Sequence, residues 1–105
     1  MRQSNHDLRR YYRTANRLYF HNKLPKDIPL QFARIKDRGV TLVLNNKVAL
    51  VIKINEDLRS WQAITIMTVL HEMLHVERPE LLGHKWQFDR RMLRLAKLGA
   101  FDGNW

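Results

Sequence analysis

Val69-Leu70-His71-Glu72-Met73-Leu74-His75 sets two histidines four residues apart inside an apolar segment. The segment reads as a long helix, capped near Ser60 and running to about Glu77, with Pro79 beyond its end. Trp61, Ile64, Thr68, His71 and His75 step along one side of it at helical spacing. Residues four apart on a helix lie one above the other, so both imidazoles can reach one metal ion. Glu72 adjoins the first histidine, where its carboxylate can take a proton from a water at that metal. The pattern H-E-x-x-H thus supplies two ligands and a general base, the parts that zinc-dependent peptide hydrolysis needs. His84, after Gly83 and nine residues beyond His75, is a third candidate ligand. Three protein ligands and one open position describe a catalytic zinc site, with one Zn2+ per chain. The competing reading of the motif is a charged helical turn in which Glu72 pairs with a nearby arginine or lysine. The apolar setting weighs against it, because two histidines in a packed region are costly guests unless something binds them.

Working outward, Asp7 to about Asn22 reads as a first helix, with Asn5 or His6 near its start. Leu8, Tyr11 or Tyr12, Ala15, Leu18 and Tyr19 form its apolar period. Leu24-Pro25-Lys26-Asp27-Ile28-Pro29 ends it in a turn. Leu30–Ile35, Val40–Leu44 and Val48–Ile54 read as three strands, separated by Lys36-Asp37-Arg38-Gly39 and by the reversal Asn45-Asn46-Lys47. A last helix is predicted from about His84 to Leu98, stopped by Gly99, with Phe88, Met92 and Leu95 on its apolar side. The expected fold class is α+β and zincin-like. An N-terminal helix, a small mainly antiparallel three-stranded sheet, the metal helix and a C-terminal helix make one domain over residues 1–105.

Composition narrows the function classes. The 105 residues are 45% hydrophobic, ordinary for a globular domain. There is no cysteine, which excludes a disulfide framework, a cysteine nucleophile and a cysteine-type zinc ribbon. The N-terminus is polar, without the apolar run of a signal peptide, and the apolar stretches are too short to span a bilayer. A monomer in the cytoplasm, close to DNA, is the expectation. Nineteen Lys and Arg against ten Asp and Glu give a net charge of +9. So strong a positive field on a short chain favours polyanionic partners.

The positive charge is concentrated on two helices. Arg9, Arg10, Arg13 and Arg17 share the first, and Lys85, Arg90, Arg91, Arg94 and Lys97 the last. Tyr11, Tyr12 and Trp86 lie between them in sequence as aromatics able to stack on bases. The residues expected to follow a phosphate backbone, without reading sequence, are Arg9, Arg13, Arg17, Lys85, Arg90, Arg91, Arg94 and Lys97. The alternative is a solvated basic face with the aromatics in the core. His6 and His21 are not ligand candidates. Glu77, Glu80 and Asp89 are available to orient ligand rings, and Tyr11, Tyr12 and Tyr19 to donate a hydrogen bond in the transition state.

Four segments resemble the SprT-like zinc metallopeptidases. Ala15-Asn16-Arg17-Leu18-Tyr19-Phe20-His21-Asn22-Lys23-Leu24-Pro25 is similar to the family's opening helix and its F-x-x-K-L-P-like turn. Val51-Ile52-Lys53-Ile54-Asn55-Glu56-Asp57-Leu58 resembles the strand ahead of the active-site helix. Val69–His75 resembles the core L-H-E-M-x-H signature, and Gly83-His84-Lys85-Trp86-Gln87-Phe88 the segment with the third ligand. The resemblance implies a zinc protease with His71, His75 and His84 as ligands and Glu72 as catalytic acid and base. It also implies work on proteins crosslinked to DNA, as in Spartan-type members. The segment between His75 and His84 is short for the family, and Lys85 stands where a glycine is common. The competing functions are a zinc protease without a nucleic-acid role, and a basic nucleic-acid-binding module with a structural or vestigial zinc site.

Overall fold

A computed structural model of the chain describes residues 2–45, 48–78 and 85–99, and of residues 85–89 and 91 the main chain only. Its elements are α1 (Asn5–Tyr19), β1 (Leu30–Ala33), β2 (Gly39–Leu44), β3 (Val48–Asn55), a 3-10 turn (Glu56–Ser60), α2 (Gln62–Glu77) and α3 (Lys85–Lys97). The class is α+β, as the sequence predicts.

α1 starts where Ser4 and Asp7 close a capping box. The Asp7 amide donates to the Ser4 hydroxyl, and the Ser4 amide donates to the Asp7 carboxylate over 2.8 Å. The helix ends at Tyr19, three residues before the expected Asn22. His21 and Asn22 take φ of 54° and 58°, the left-handed turn that breaks helical continuity. Buried Asn16 fixes this exit. Its side chain donates to the Leu24 carbonyl and accepts from the Leu24 amide, both at 3.1 Å.

The sheet corrects the expected mainly antiparallel arrangement: it is mixed. Strand order is β1-β3-β2, with β2 antiparallel to β3 and β1 parallel to it. The chain leaves β1 and crosses to the far side of β3 before β2 begins, so 36–39 is no hairpin turn. Alternating apolar residues specify which face of a strand is buried but not the direction of its neighbour. Asn55, at the end of β3, holds the crossing segment. Its side-chain amide donates to the carbonyls of Ile35 and Asp37, and its main-chain amide to that of Arg38 over 2.7 Å. Its Oδ1 also accepts from the Asp57 amide and caps the 3-10 turn.

α2 follows that turn and begins after Trp61, without the side-chain cap expected near Ser60. α1 and α2 pack on the inner face of the sheet. Leu8, Tyr11, Tyr12 and Ala15 of α1 are buried with Ile52 and Ile54 of β3 and Val69, Leu70 and Met73 of α2. Leu95 of α3 closes one side of this core. Burial of both tyrosines overturns their expected role as base-stacking aromatics. Tyr11 donates to the Gln3 side chain, and Tyr12 donates to the Pro25 carbonyl. Both rings are only 1% exposed. Among the described residues, no helix is long and apolar enough to cross a membrane.

Candidate metal centre

α2 is buried along most of its circumference, and one narrow stripe stays open. Ile64, Met67 and His71 are exposed on it, with Thr68 and Glu72 beside them at the bottom of a groove. The groove encloses about 380 Å³. Asp37, Arg38 and Gly39 form its second wall, and Met92 of α3 reaches in from a third side.

His71 and His75 meet edge to face on this helix, with ring centroids 5.2 Å apart and an interplanar angle of 71°. His71 Nε2 lies 4.0 Å from Glu72 Oε2. His71, Glu72 and His75 each offer a ligand atom within 4.8 Å of the others. The spread is somewhat wider than bonds of about 2 Å to one ion would leave, and two neutral imidazoles are donors that a divalent transition metal accepts. Among the described residues this group could hold a metal ion. His84 lies outside the described residues, as do Glu80 and the side chains of Lys85, Asp89 and Arg91.

Glu72 does not sit in a charged turn. It is 4% exposed, and among the described residues no lysine or arginine pairs with it. Its partner is Thr41, on β2. The Thr41 hydroxyl donates to Glu72 Oε1 over 2.8 Å, with a longer contact of 3.3 Å to the Glu72 carbonyl. Burial pushes the Glu72 carboxyl up to about 7; the Thr41 hydrogen bond opposes the shift, and the nearby Asp37 carboxylate adds to it. His75 moves the other way, down to about 4, because burial and then the proximity of His71 disfavour its cation. Near neutral pH the site thus holds a neutral imidazole, the form that binds a metal, beside a carboxyl poised to gain or lose a proton.

Gly39 makes this contact between strand and helix possible. A Cβ there would meet Thr68 Cγ2 at 2.7 Å and the Glu72 Cγ and Oε2 atoms at 3.2 Å. A side chain at 39 would push β2 off α2 at the very place where Thr41 holds Glu72. Neither residue stands out in sequence. Alternation along β2 does turn Thr41 to the same side as buried Ile52, its cross-strand neighbour, but no motif marks it.

The described basic residues of α1 and α3 that the sequence singles out fall on exposed faces. Arg9, Arg13 and Arg17 line the solvent side of α1, opposite its buried stripe, and Arg90, Arg94 and Lys97 are exposed on α3. No protein-family model, curated protein or solved structure matches the chain.

Proposed function

We propose that the protein is a zinc-dependent metallopeptidase that acts on proteins bound or crosslinked to DNA. The observation that carries this reading is the cluster in which buried Glu72, oriented by Thr41, adjoins His71 at the groove and His75 one turn further along α2. The SprT-like resemblance of the sequence supports the same chemistry, with His84 as third ligand.

The residues divide the work. His71 and His75, with His84, hold the ion through neutral imidazole nitrogens. A zinc ion supplies Lewis acidity, which polarises a peptide carbonyl and makes water a nucleophile near neutral pH. Glu72 takes a proton from the attacking water at Oε2, the oxygen on the histidine side. It then returns that proton to the amine nitrogen as the C–N bond breaks. A carboxyl near 7 suits both halves of this exchange. Gly39 at the head of edge strand β2 lines the groove. The edge offers main-chain groups against which an extended peptide can lie.

The exposed arginines of α1 and the basic face of α3 supply the DNA contacts in this reading, through phosphates and without sequence selection. The test is digestion of an unstructured protein by zinc-loaded wild type and Glu72→Gln, with and without DNA, over a salt series. Cleavage by the wild type alone, stimulated by DNA at low salt, is expected. Equal cleavage by Glu72→Gln would refute the mechanism. Cleavage indifferent to DNA, with no DNA binding at low salt, would leave a protease without a nucleic-acid role. DNA binding without cleavage would favour a basic binding module with a structural zinc site.

A further inference from the structure

We infer that the groove beside the histidine pair is a subsite for one uncharged apolar side chain, of the leucine, methionine or phenylalanine kind, carried on an extended peptide. The inference rests on the peptidase reading above and adds a substrate class to it.

The solvent-facing stripe of a surface helix is normally polar. α1 obeys this rule with Arg9, Arg13 and Arg17. α2 breaks it: the stripe that leads to His71 carries Ile64 and Met67, 37% and 44% exposed. Spacings of three and four put Ile64, Met67 and His71 on one line, so the apolar wall runs straight up to His71. Met92 faces this wall from α3. Exposed apolar side chains that converge in a concave site are a mark of ligand recognition. Two methionines in the wall let it adapt to several apolar shapes, because the thioether chain is flexible and polarisable.

Size and polarity limit the occupant. A groove of about 380 Å³ lies at the small end of ligand sites and takes one large side chain with its adjoining main chain. The opposite wall is polar, with Asp37, Arg38 and Gly39 held in place by Asn55. That wall suits peptide main-chain groups. A charged side chain pressed against Ile64, Met67 and Met92 would lose water without gaining a partner. Asp37 and Arg38 create two competing possibilities, a lysine or arginine that reaches across to Asp37 and an acidic side chain that reaches Arg38.

The test uses labelled peptides of glycine and serine with one variable central residue: Leu, Met, Phe, Ser, Asp or Lys. Affinity for zinc-loaded Glu72→Gln protein is read by fluorescence anisotropy, so no turnover is needed. The apolar peptides are expected to bind about tenfold or more tighter than the serine peptide. Adding Met67→Lys should erase that advantage with zinc content and circular dichroism unchanged, and Met67→Leu should keep it. Equal affinities, no measurable binding of any peptide, tighter binding of the lysine or aspartate peptide, or an unchanged preference in Met67→Lys would each overturn the subsite. Cut sites made by the wild type in an unstructured protein separate the two claims. Apolar-selective binding without cleavage would overturn the peptidase reading and leave the subsite standing. Cleavage without apolar preference in either assay would do the reverse.

Discussion

The Thr41 hydroxyl donates to Oε1 of Glu72 over 2.8 Å, and this leaves Oε2 on the side of His71, 4.0 Å from its Nε2. An edge strand thereby sets the orientation of a carboxylate on a helix 31 residues away in sequence. If Glu72 is the base, Thr41→Val should lower kcat about ten- to a hundredfold with KM little changed, because the carboxylate loses its fixed geometry. Thr41→Ser keeps the hydroxyl and should restore most of the rate. Steady-state kinetics of the two variants decide the matter; an equal loss in both would show that Thr41 only fills space.

Gly39 is needed for its lack of a side chain. Gly39→Ala forces a methyl to 2.7 Å from Thr68 Cγ2, which sits on a packed helix and has little room to yield. A cost of about 1–3 kcal/mol is expected from overpacking of this kind. Thermal denaturation would show a clear fall in Tm, and an unchanged Tm would mean that β2 can move away from α2 freely.

The raised Glu72 carboxyl makes the metal-free protein sensitive to alkali. Its value is about 7 in the fold against 4.5 for an unperturbed glutamic acid. A raised folded-state pKa favours the fold below about 4.5, and that advantage is lost as pH rises to 7. His75 has the opposite sign: its folded value of about 4 lies below 6.5, so its contribution is lost as pH falls from 6.5 to 4. The two slopes oppose each other between 4.5 and 6.5. Above that window only the Glu72 loss remains. Glu72→Gln, which cannot ionise, should therefore raise the Tm of the metal-free protein more at pH 8 than at pH 5. The same increment at both values would contradict a carboxyl whose ionisation is disfavoured by burial.

Asn16 ties the end of α1 to the strand-bound chain through two hydrogen bonds to Leu24. Asn16→Ala leaves the Leu24 amide and carbonyl without these partners in a buried place, at a cost of about 2 kcal/mol. Urea denaturation should give a lower midpoint with an unchanged slope. A variant as stable as the wild type would show that the exit of α1 is fixed by packing alone.

Local rules carried much of this architecture. The spacing of His71 and His75 is a property of any helix, so their meeting was legible in sequence, as were Leu8, Tyr11, Tyr12 and Ala15 of the α1 apolar period and the β-branched run of β3; Leu18, expected in that period, faces solvent, and Asn16 is buried in its stead. Long-range features were not. The parallel pairing of β1 with β3 depends on where the crossing segment is held, and Asn55 does that through contacts alternation does not reveal. The end of α1 moved from Asn22 to Tyr19 because Asn16 reaches forward to Leu24. Tyr11 and Tyr12 belong to the helical apolar stripe, and their hydroxyls also suit a surface; only the tertiary fold chose the core. Thr41 and Gly39 carry no motif, since their importance arises from the opposing face of α2.

The central claim is that His71 and His75 bind a metal ion beside Glu72. Elemental mass spectrometry of the purified wild type, His71→Ala, His75→Ala and Glu72→Gln, each dialysed against a small excess of zinc, tests it most directly. The account predicts one zinc per chain in the wild type and Glu72→Gln, and its loss in both histidine variants. A wild type without zinc, or histidine variants that retain it, would contradict the metal centre and the peptidase reading built on it.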